Sequence, residues 1–275
     1  MIPIRNNKKT SVARPLRSRR ALFGAALLSL ASVLGLTGVP ARADGLVRTI
    51  AAVKPSVVGV GTFLKTRSPA VMFTGTGFAV GDGLSIVTNA HVVPNQLDGA
   101  KMEQLGVVVG SGQEFSFRPA QLVALDREHD LAHLRLQGGP PLPALALGDS
   151  RTAAEGQTLA FTGFPLGMVL GLNHVTHRAM LSAITPIVMP SMSSRRIDAR
   201  AIAQLRRAPF SIFQLDGTAY PGNSGSPVYD PETGKVLAVI NMVFVKGLKE
   251  TAITNPSGIT YAVPAQYVQE LLQQK

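Results

Sequence analysis

The sequence predicts an all-β protein in which two six-stranded antiparallel β-barrels pack together and a short C-terminal helix closes the chain. Three observations carry that expectation. Short runs rich in β-branched and aromatic residues recur from Ser56 to Val263, with Gly or Pro between them and little helical periodicity. Many short strands at near-regular spacing argue for a barrel or sandwich. One stretch, Gly138-Gly139-Pro140-Pro141-Leu142-Pro143, divides the runs into two sets of about six, because neither strand nor helix crosses such a sequence.

In chain order, residues 1–43 come first and read as an export signal. They carry eight Lys and Arg residues and no acid. A basic stretch through Arg20 precedes an uncharged run from Ala21 to Ala41, and Ala41-Arg42-Ala43 offers the small-x-small pattern that signal peptidases cleave after. Arg19-Arg20, followed by Leu22-Phe23, resembles a twin-arginine signal. The alternative is an uncleaved anchor, since about 20 apolar residues span a bilayer. Either way residues 44–275 are expected outside the cytoplasm, periplasmic or extracellular after cleavage. The formal charge of +11 belongs mostly to this leader: residues 44–275 hold 19 basic against 16 acidic residues, so no nucleic-acid partner is expected. Zero cysteines exclude a disulfide scaffold, a thiolate zinc site and a cysteine nucleophile. With 45% hydrophobic and 16% charged residues, disorder is excluded as well.

The first barrel is expected over about residues 50–137, from runs at Val57–Leu64, Thr74–Val80, Ser85–Thr88, Gly106–Val109, Phe115–Ala124 and Leu131–Leu136. The second is expected over about 145–263, from Thr158–Gly163, His174–Ala183, Ile212–Leu215, Ser226–Tyr229, Lys235–Val245 and Gly258–Val263. Pro264 then opens an amphipathic helix over 264–273, with Tyr267, Val268, Leu271 and Leu272 on one side. One segment departs from the strand pattern. Ser194–Ala208 carries Arg195, Arg196, Arg200, Arg206 and Arg207 on a helical spacing. It reads as an amphipathic surface helix with solvated arginines, or as a lid that contacts an acidic partner or a membrane surface.

Three segments carry chemistry. Thr88-Asn89-Ala90-His91-Val92-Val93 sets a histidine at the end of a strand, His129-Asp130-Leu131-Ala132 sets an acid at the start of one, and Tyr220-Pro221-Gly222-Asn223-Ser224-Gly225-Ser226-Pro227 sets a serine in a glycine-rich turn. A serine hydroxyl is a poor nucleophile at neutral pH and needs an adjacent base. Imidazole supplies one, and a buried carboxylate fixes its tautomer. Glycines around Ser224 let the N–H groups of Gly222 and Ser224 converge, where such donors stabilise an oxyanion.

The order His, Asp, Ser and the Gly-Asn-Ser-Gly turn resemble trypsin-like serine proteases, specifically the bacterial Deg/HtrA type. Gly75-Thr76-Gly77-Phe78 with Ile86–Val93 is similar to the family's block around the catalytic His. Asp126-Arg127-Glu128-His129-Asp130-Leu131-Ala132 is similar to its block around the catalytic Asp, with Asp130 and not Asp126 at the functional position. Gly163-Phe164-Pro165-Leu166-Gly167, Gln214–Gly225 and Gly258–Pro264 resemble three further blocks. The resemblance implies a chymotrypsin-like double barrel with His91 and Asp130 on the first barrel and Ser224 on the second. It implies a serine endopeptidase acting on protein or peptide substrates, in extracytoplasmic protein quality control. It puts Thr218, six residues before the nucleophile, at the floor of the substrate pocket, where enzymes selecting Lys or Arg carry Asp. Family members commonly continue into PDZ domains, whereas this sequence stops eight residues after Tyr267, so the protease domain without PDZ is expected. Ser226 replaces the second glycine usual after the nucleophile. That departure, with the arginine segment, is the support for an alternative reading: a catalytically impaired protease-fold binding or chaperone-like module.

No cofactor and no metal are expected. His129 and His133 have the i,i+4 spacing of a helical metal pair, but in a strand they stand about 13 Å apart. His174 and His177 differ by an odd number and face opposite sides of a strand. Gly222-Asn223-Ser224-Gly225-Ser226 fails the Gly-x-Ser-x-Gly pattern of α/β-hydrolases, and no phosphate loop is present. The sequence leaves the oligomeric state open.

Overall fold

The computed structural model describes residues 43–112, 114–169, 171–187, 210–241 and 258–274. The leader up to Arg42, the Ser194–Ala208 segment with its five arginines, and the last residues of the expected Lys235–Val245 run lie outside the described residues.

The first described element was not expected from the sequence. Helix α1 spans Ala43–Val53, with Leu46, Thr49, Ile50 and Val53 at helical spacing. Its inner edge is buried at Thr49 and Val53, and a 3₁₀ turn at Lys54–Ser56, containing Pro55, ends it.

Six strands follow: β1 (Val57–Phe63), β2 (Val71–Val80), β3 (Ser85–Asn89), β4 (Gln104–Ser111), β5 (Glu114–Asp126) and β6 (Leu131–Leu136). They close into a barrel in the order β1-β2-β3-β6-β5-β4, each pair antiparallel. A second closed barrel holds β7 (Thr158–Gly163), β8 (Val175–Ile187), β9 (Phe210–Leu215), β10 (Pro227–Tyr229), β11 (Val236–Asn241) and β12 (Thr260–Pro264), in the order β10-β11-β12-β9-β8-β7. Closure leaves none of the described strands at an open sheet edge, where unpaired backbone groups would invite association. Helix α2 (Ala265–Gln273) follows directly on β12. The all-β, two-barrel expectation with a short C-terminal helix therefore holds. The residues from Gly138 to Pro143 do separate the two strand sets, and the chain beyond them ties both together. The N–H of Leu145 donates to Ala79 O on β2 at 2.8 Å, and Ala146 O accepts from Val236 N–H on β11 at 2.9 Å.

Alternation of side chains along each strand sorts the core into three parts. Val58, Val60, Ile86, Val107 and Leu134 fill the first barrel. Leu159, Phe161, Leu181, Phe213 and Leu215 fill the second. A third cluster lies between the barrels and combines Phe78 and Leu131 of the first with Phe164, Tyr229 and Val239 of the second, sealed by Val53 of α1 and Val268 and Leu271 of α2. Each large apolar side chain buried there contributes about 1.5–3 kcal/mol. On β2 the split is direct: Gly75 and Gly77 face the first barrel's interior, while Thr76 and Phe78 face the second barrel.

Candidate active site

The site is built where the two barrels meet. Strand β3 pairs with β6 in a register that sets Asn89 opposite Leu131, so the end of one strand lies beside the start of the other. A 3₁₀ turn at Ala90–Val92 follows β3 and presents His91. The turn is clipped to the residue before Leu131: the Ala90 N–H and the Asn89 side-chain amide both donate to Asp130 O at 3.0 Å. Asp130 has φ +55°, a conformation that few residues other than glycine adopt, and these two bonds hold it there.

Asp130 is 8% exposed, and its carboxylate accepts three hydrogen bonds. Oδ1 takes the His91 backbone N–H at 2.9 Å; Oδ2 takes His91 Nδ1–H at 2.6 Å and the Asn241 amide at 2.9 Å. Because an ionised carboxylate only accepts, the imidazole proton sits on Nδ1 and the Nε2 lone pair points the other way. There it meets Ser224, whose Oγ–H donates to Nε2 across 3.0 Å. Ser224 stands in the loop between β9 and β10, in the second barrel. The structure thus brings His91, Asp130 and Ser224 together, and Asp126 is not among them.

The turn around Ser224 is fixed peptide by peptide. Pro221 O accepts from Leu166 N–H at 2.6 Å, Gly222 O from the Thr76 hydroxyl at 2.7 Å, Asn223 O from Ser226 N–H at 2.9 Å, and Ser224 O from Thr76 N–H at 2.8 Å. In a trans peptide the N–H points opposite to the carbonyl of the same unit. Holding Pro221 O and Asn223 O therefore aims the N–H groups of Gly222 and Ser224. Among the described residues neither has an acceptor, whereas Asn223 N–H donates to Tyr220 O at 2.9 Å and Gly225 N–H to Ile240 O at 3.0 Å. Two free donors flanking a bonded one, beside the serine hydroxyl, form an arrangement that can receive developing negative charge. Gly225 is needed for this: a Cβ there would stand 1.9 Å from Thr76 O. Leu166, like Asp130, has a left-handed backbone, φ +56°, so two of the three such non-glycine residues described lie at this site.

A family model described as trypsin-like peptidase domain matches residues 75–239. The chain belongs to the trypsin-like peptidase family. Its relatives place it with the Deg/HtrA type. It is 29% identical over 200 residues to the "Probable periplasmic serine endoprotease DegP-like" of Halomonas elongata, covering 73% of this chain and 34% of that protein. It is 31% identical over 251 residues to the mitochondrial serine protease HTRA2 of Bos taurus, covering 88% of this chain and 46% of that one. The chain thus spans less than half the length of these relatives. Among solved structures it resembles an HtrA-type protease, AlgW, with a tripeptide, at a TM-score of 0.59 and 20% identity, covering 83% of this chain and 62% of the other. That likeness bears on the fold.

Within this trypsin-like peptidase the remaining expected residues fall as follows. Ser226 is fully buried behind the serine turn. Its Oγ lies 2.0 Å from where a Cβ on residue 163 would stand, so the serine fits only because Gly163 faces it. Thr218 is half-buried, in a loop pinned on both sides by Thr260 of β12: the Thr260 hydroxyl donates to Gly217 O and accepts from Ala219 N–H at 3.0 Å. Asp216 is exposed and accepts the Met180 N–H on β8. Residues 242–257 lie outside the described set.

His129 sits in the turn before β6, not in the strand, and pairs with Asp126 through Nδ1–H to Oδ2 at 2.6 Å. His174 precedes β8 and donates from Nε2 to Val57 O at 2.9 Å. Burial lowers the pKa of His133, His174 and His177 below the usual imidazole value. Two residues that sequence reasoning left without a role are Asn241 and Thr76. A polar residue ending the apolar run Val236–Ile240 was the available signal for the first; a hydroxyl between two glycines was the signal for the second.

Proposed function

We propose that the chain is an exported serine endopeptidase that cuts protein substrates through an acyl-enzyme on Ser224. The observation that carries this reading is the 3.0 Å contact from Ser224 Oγ to His91 Nε2, with the Asp130 carboxylate behind the ring. His91 takes the hydroxyl proton as Oγ forms its bond to the scissile carbonyl carbon. Asp130 offsets the charge of the resulting imidazolium, and Asn241 keeps the carboxylate turned toward it. The carbonyl oxygen, now negative, receives the N–H groups of Gly222 and Ser224, a pair of which each member is worth about 10²–10³ in rate. Collapse of the tetrahedral intermediate breaks the peptide C–N bond, and the proton passes from His91 to the departing amine. Water then attacks the ester carbon with His91 as base, releasing the acid and restoring Ser224.

With uncharged Thr218 as the pocket floor and Asp216 bonded to the Met180 N–H of β8, neither residue offers a counter-charge to a substrate ammonium, whose uncompensated burial costs several kcal/mol. A small apolar residue is therefore expected on the acyl side of the cut. The preference is graded, since a methylene changes binding by only about 1–3 kcal/mol. The leader at residues 1–43, with a relative whose name includes "periplasmic", supports action outside the cytoplasm. Among the described residues no helix is long and apolar enough to cross a membrane.

Labelling with a fluorophosphonate tests the activity. Wild-type protein should be modified at Ser224, the His91→Ala variant should not, and an unlabelled wild type would overturn the reading. Cleavage sites in unfolded casein test the pocket, where a majority of cuts after Lys or Arg would show that another acid reaches it.

A further inference from the structure

Thr76 belongs to the first barrel, yet its polar groups serve the serine turn of the second. It is fully buried in the middle of β2, on the face turned toward that turn. Its N–H donates to Ser224 O at 2.8 Å and its hydroxyl donates to Gly222 O at 2.7 Å. The hydroxyl oxygen also accepts Phe164 N–H at 3.1 Å, and its own carbonyl accepts the Thr88 hydroxyl at 2.6 Å. Every polar atom of the residue is used, in a place where an unpaired group would cost about 1–3 kcal/mol.

The other bonds that set the peptide planes from Pro221 to Gly225 join one backbone group to another, and most residue types could make them. Among the described residues, the hydroxyl on Gly222 O is the one side-chain bond in the set. It orients the peptide between Gly222 and Asn223, the unit that connects the two free N–H groups, and so sets the angle between them. Through Phe164 N–H the same oxygen reaches the loop whose Leu166 N–H holds Pro221 O and thereby aims the Gly222 N–H. One hydroxyl thus links both supports of the donor pair.

We propose that Thr76 is a positioning residue for the oxyanion-binding pair, acting from the first barrel through Gly222 O and never touching substrate. This rests on the function proposed above. The replacement that isolates the hydroxyl is Thr76→Val, which keeps the shape and removes the donor; Thr76→Ser keeps the donor and removes the methyl. Misplacing catalytic groups by about 1 Å can cost on the order of 10² in rate. Hydrolysis of a peptide ester by Thr76→Val should therefore show kcat lowered by roughly 10- to 100-fold per titrated site, with KM close to wild type. Thr76→Ser should restore most of kcat. A peptide aldehyde, whose tetrahedral adduct places an oxygen on the same two N–H groups, should bind Thr76→Val more weakly by a similar factor, while the product peptide binds both proteins alike.

A purely structural role predicts a lower melting temperature with unchanged kcat per titrated site and unchanged aldehyde affinity, and that result overturns the proposal. Should Thr76→Val not fold, Thr76→Ala against Thr76→Ser decides: equal kcat overturns it, and retention by Ser alone supports it. A wild-type protein that hydrolyses nothing and takes no label overturns the proposed function, and this inference with it. An active wild type matched by Thr76→Val overturns only the inference.

Discussion

Two histidine–aspartate pairs meet at one peptide bond. Asp130 binds His91, and its neighbour His129 binds Asp126. The two pairs are near copies. In each, Nδ1–H reaches Oδ2 at 2.6 Å and the histidine's own backbone N–H reaches Oδ1, at 2.9 Å in one and 3.0 Å in the other. What differs is the far side of the ring. His91 keeps 26% of its side-chain surface and turns Nε2 to the Ser224 hydroxyl. His129 keeps 15% and lies stacked on Tyr267 of α2 at 3.9 Å, with Phe210 edge-on at 4.7 Å. A carboxylate behind an imidazole is thus a local motif that a short turn can build twice. Whether it makes a base or a clasp depends on what the rest of the fold sets before Nε2. The second pair ties the turn that carries Asp130 to the C-terminal helix.

Substitutions at the two pairs should separate along that line. Ser224→Ala or His91→Ala should each lower kcat on the order of 10⁶ while leaving the melting temperature near wild type. If either variant retained substantial turnover on the same substrate, the first pair would not be the one that works as a base.

Removing the carboxylate charge sharpens the contrast. Asp130→Asn should lower kcat by about 10⁴, since an amide there stabilises the wrong imidazole tautomer. Asp126→Asn should leave kcat/KM near wild type and lower stability by on the order of 1 kcal/mol, through the bonds it loses to its turn. Thermal melts and ester kinetics on both variants read this, and the reverse ranking would reassign the two acids.

The histidines that lack a carboxylate give the smallest effect. Burial lowers the folded-state pKa of His133, His174 and His177, so on acidification the unfolded chain binds protons before the folded one does. Their contribution to stability is therefore intact above about pH 6.5 and is lost as pH falls below it, by up to about 1.4 kcal/mol per pH unit for each proton. His133 is the clearest case, because neither ring nitrogen has a partner among the described residues. Urea midpoints measured from pH 7 to pH 5 should fall for wild type and fall less for His133→Leu. Parallel pH profiles would remove His133 from this account.

The parts of the molecule that could be read from sequence are those encoded locally. Strand runs such as Thr158–Gly163 and Leu131–Leu136 have the observed bounds because alternation and flanking turn residues are properties of a few neighbours. His91, Asp130 and Ser224 each sit in a short recognisable block. Asn241 and Thr76 do not, since their bonds span 111 and 146 residues and exist only once the barrels have closed. Helix α1 was missed for another reason: its eleven residues adjoin the expected cleavage site, where the apolar pattern of the leader dominates the reading. His129 looked like a strand residue because the apolar run it introduces is a strand, and the turn is made by the Asp126 carboxylate instead.

Division of the site between two barrels has a consequence for the chain while it is still forming. The first barrel supplies the imidazole and its carboxylate, but without the second it lacks both the serine hydroxyl and the Asn241 amide that braces the carboxylate. The second folded alone holds a serine turn that lacks its base and the threonine that braces it. If the site works as proposed, the two halves must dock before a peptide bond is cut, and assembly then acts as a safety catch: a partly folded copy would not digest its neighbours, and the ability to cut would arrive last.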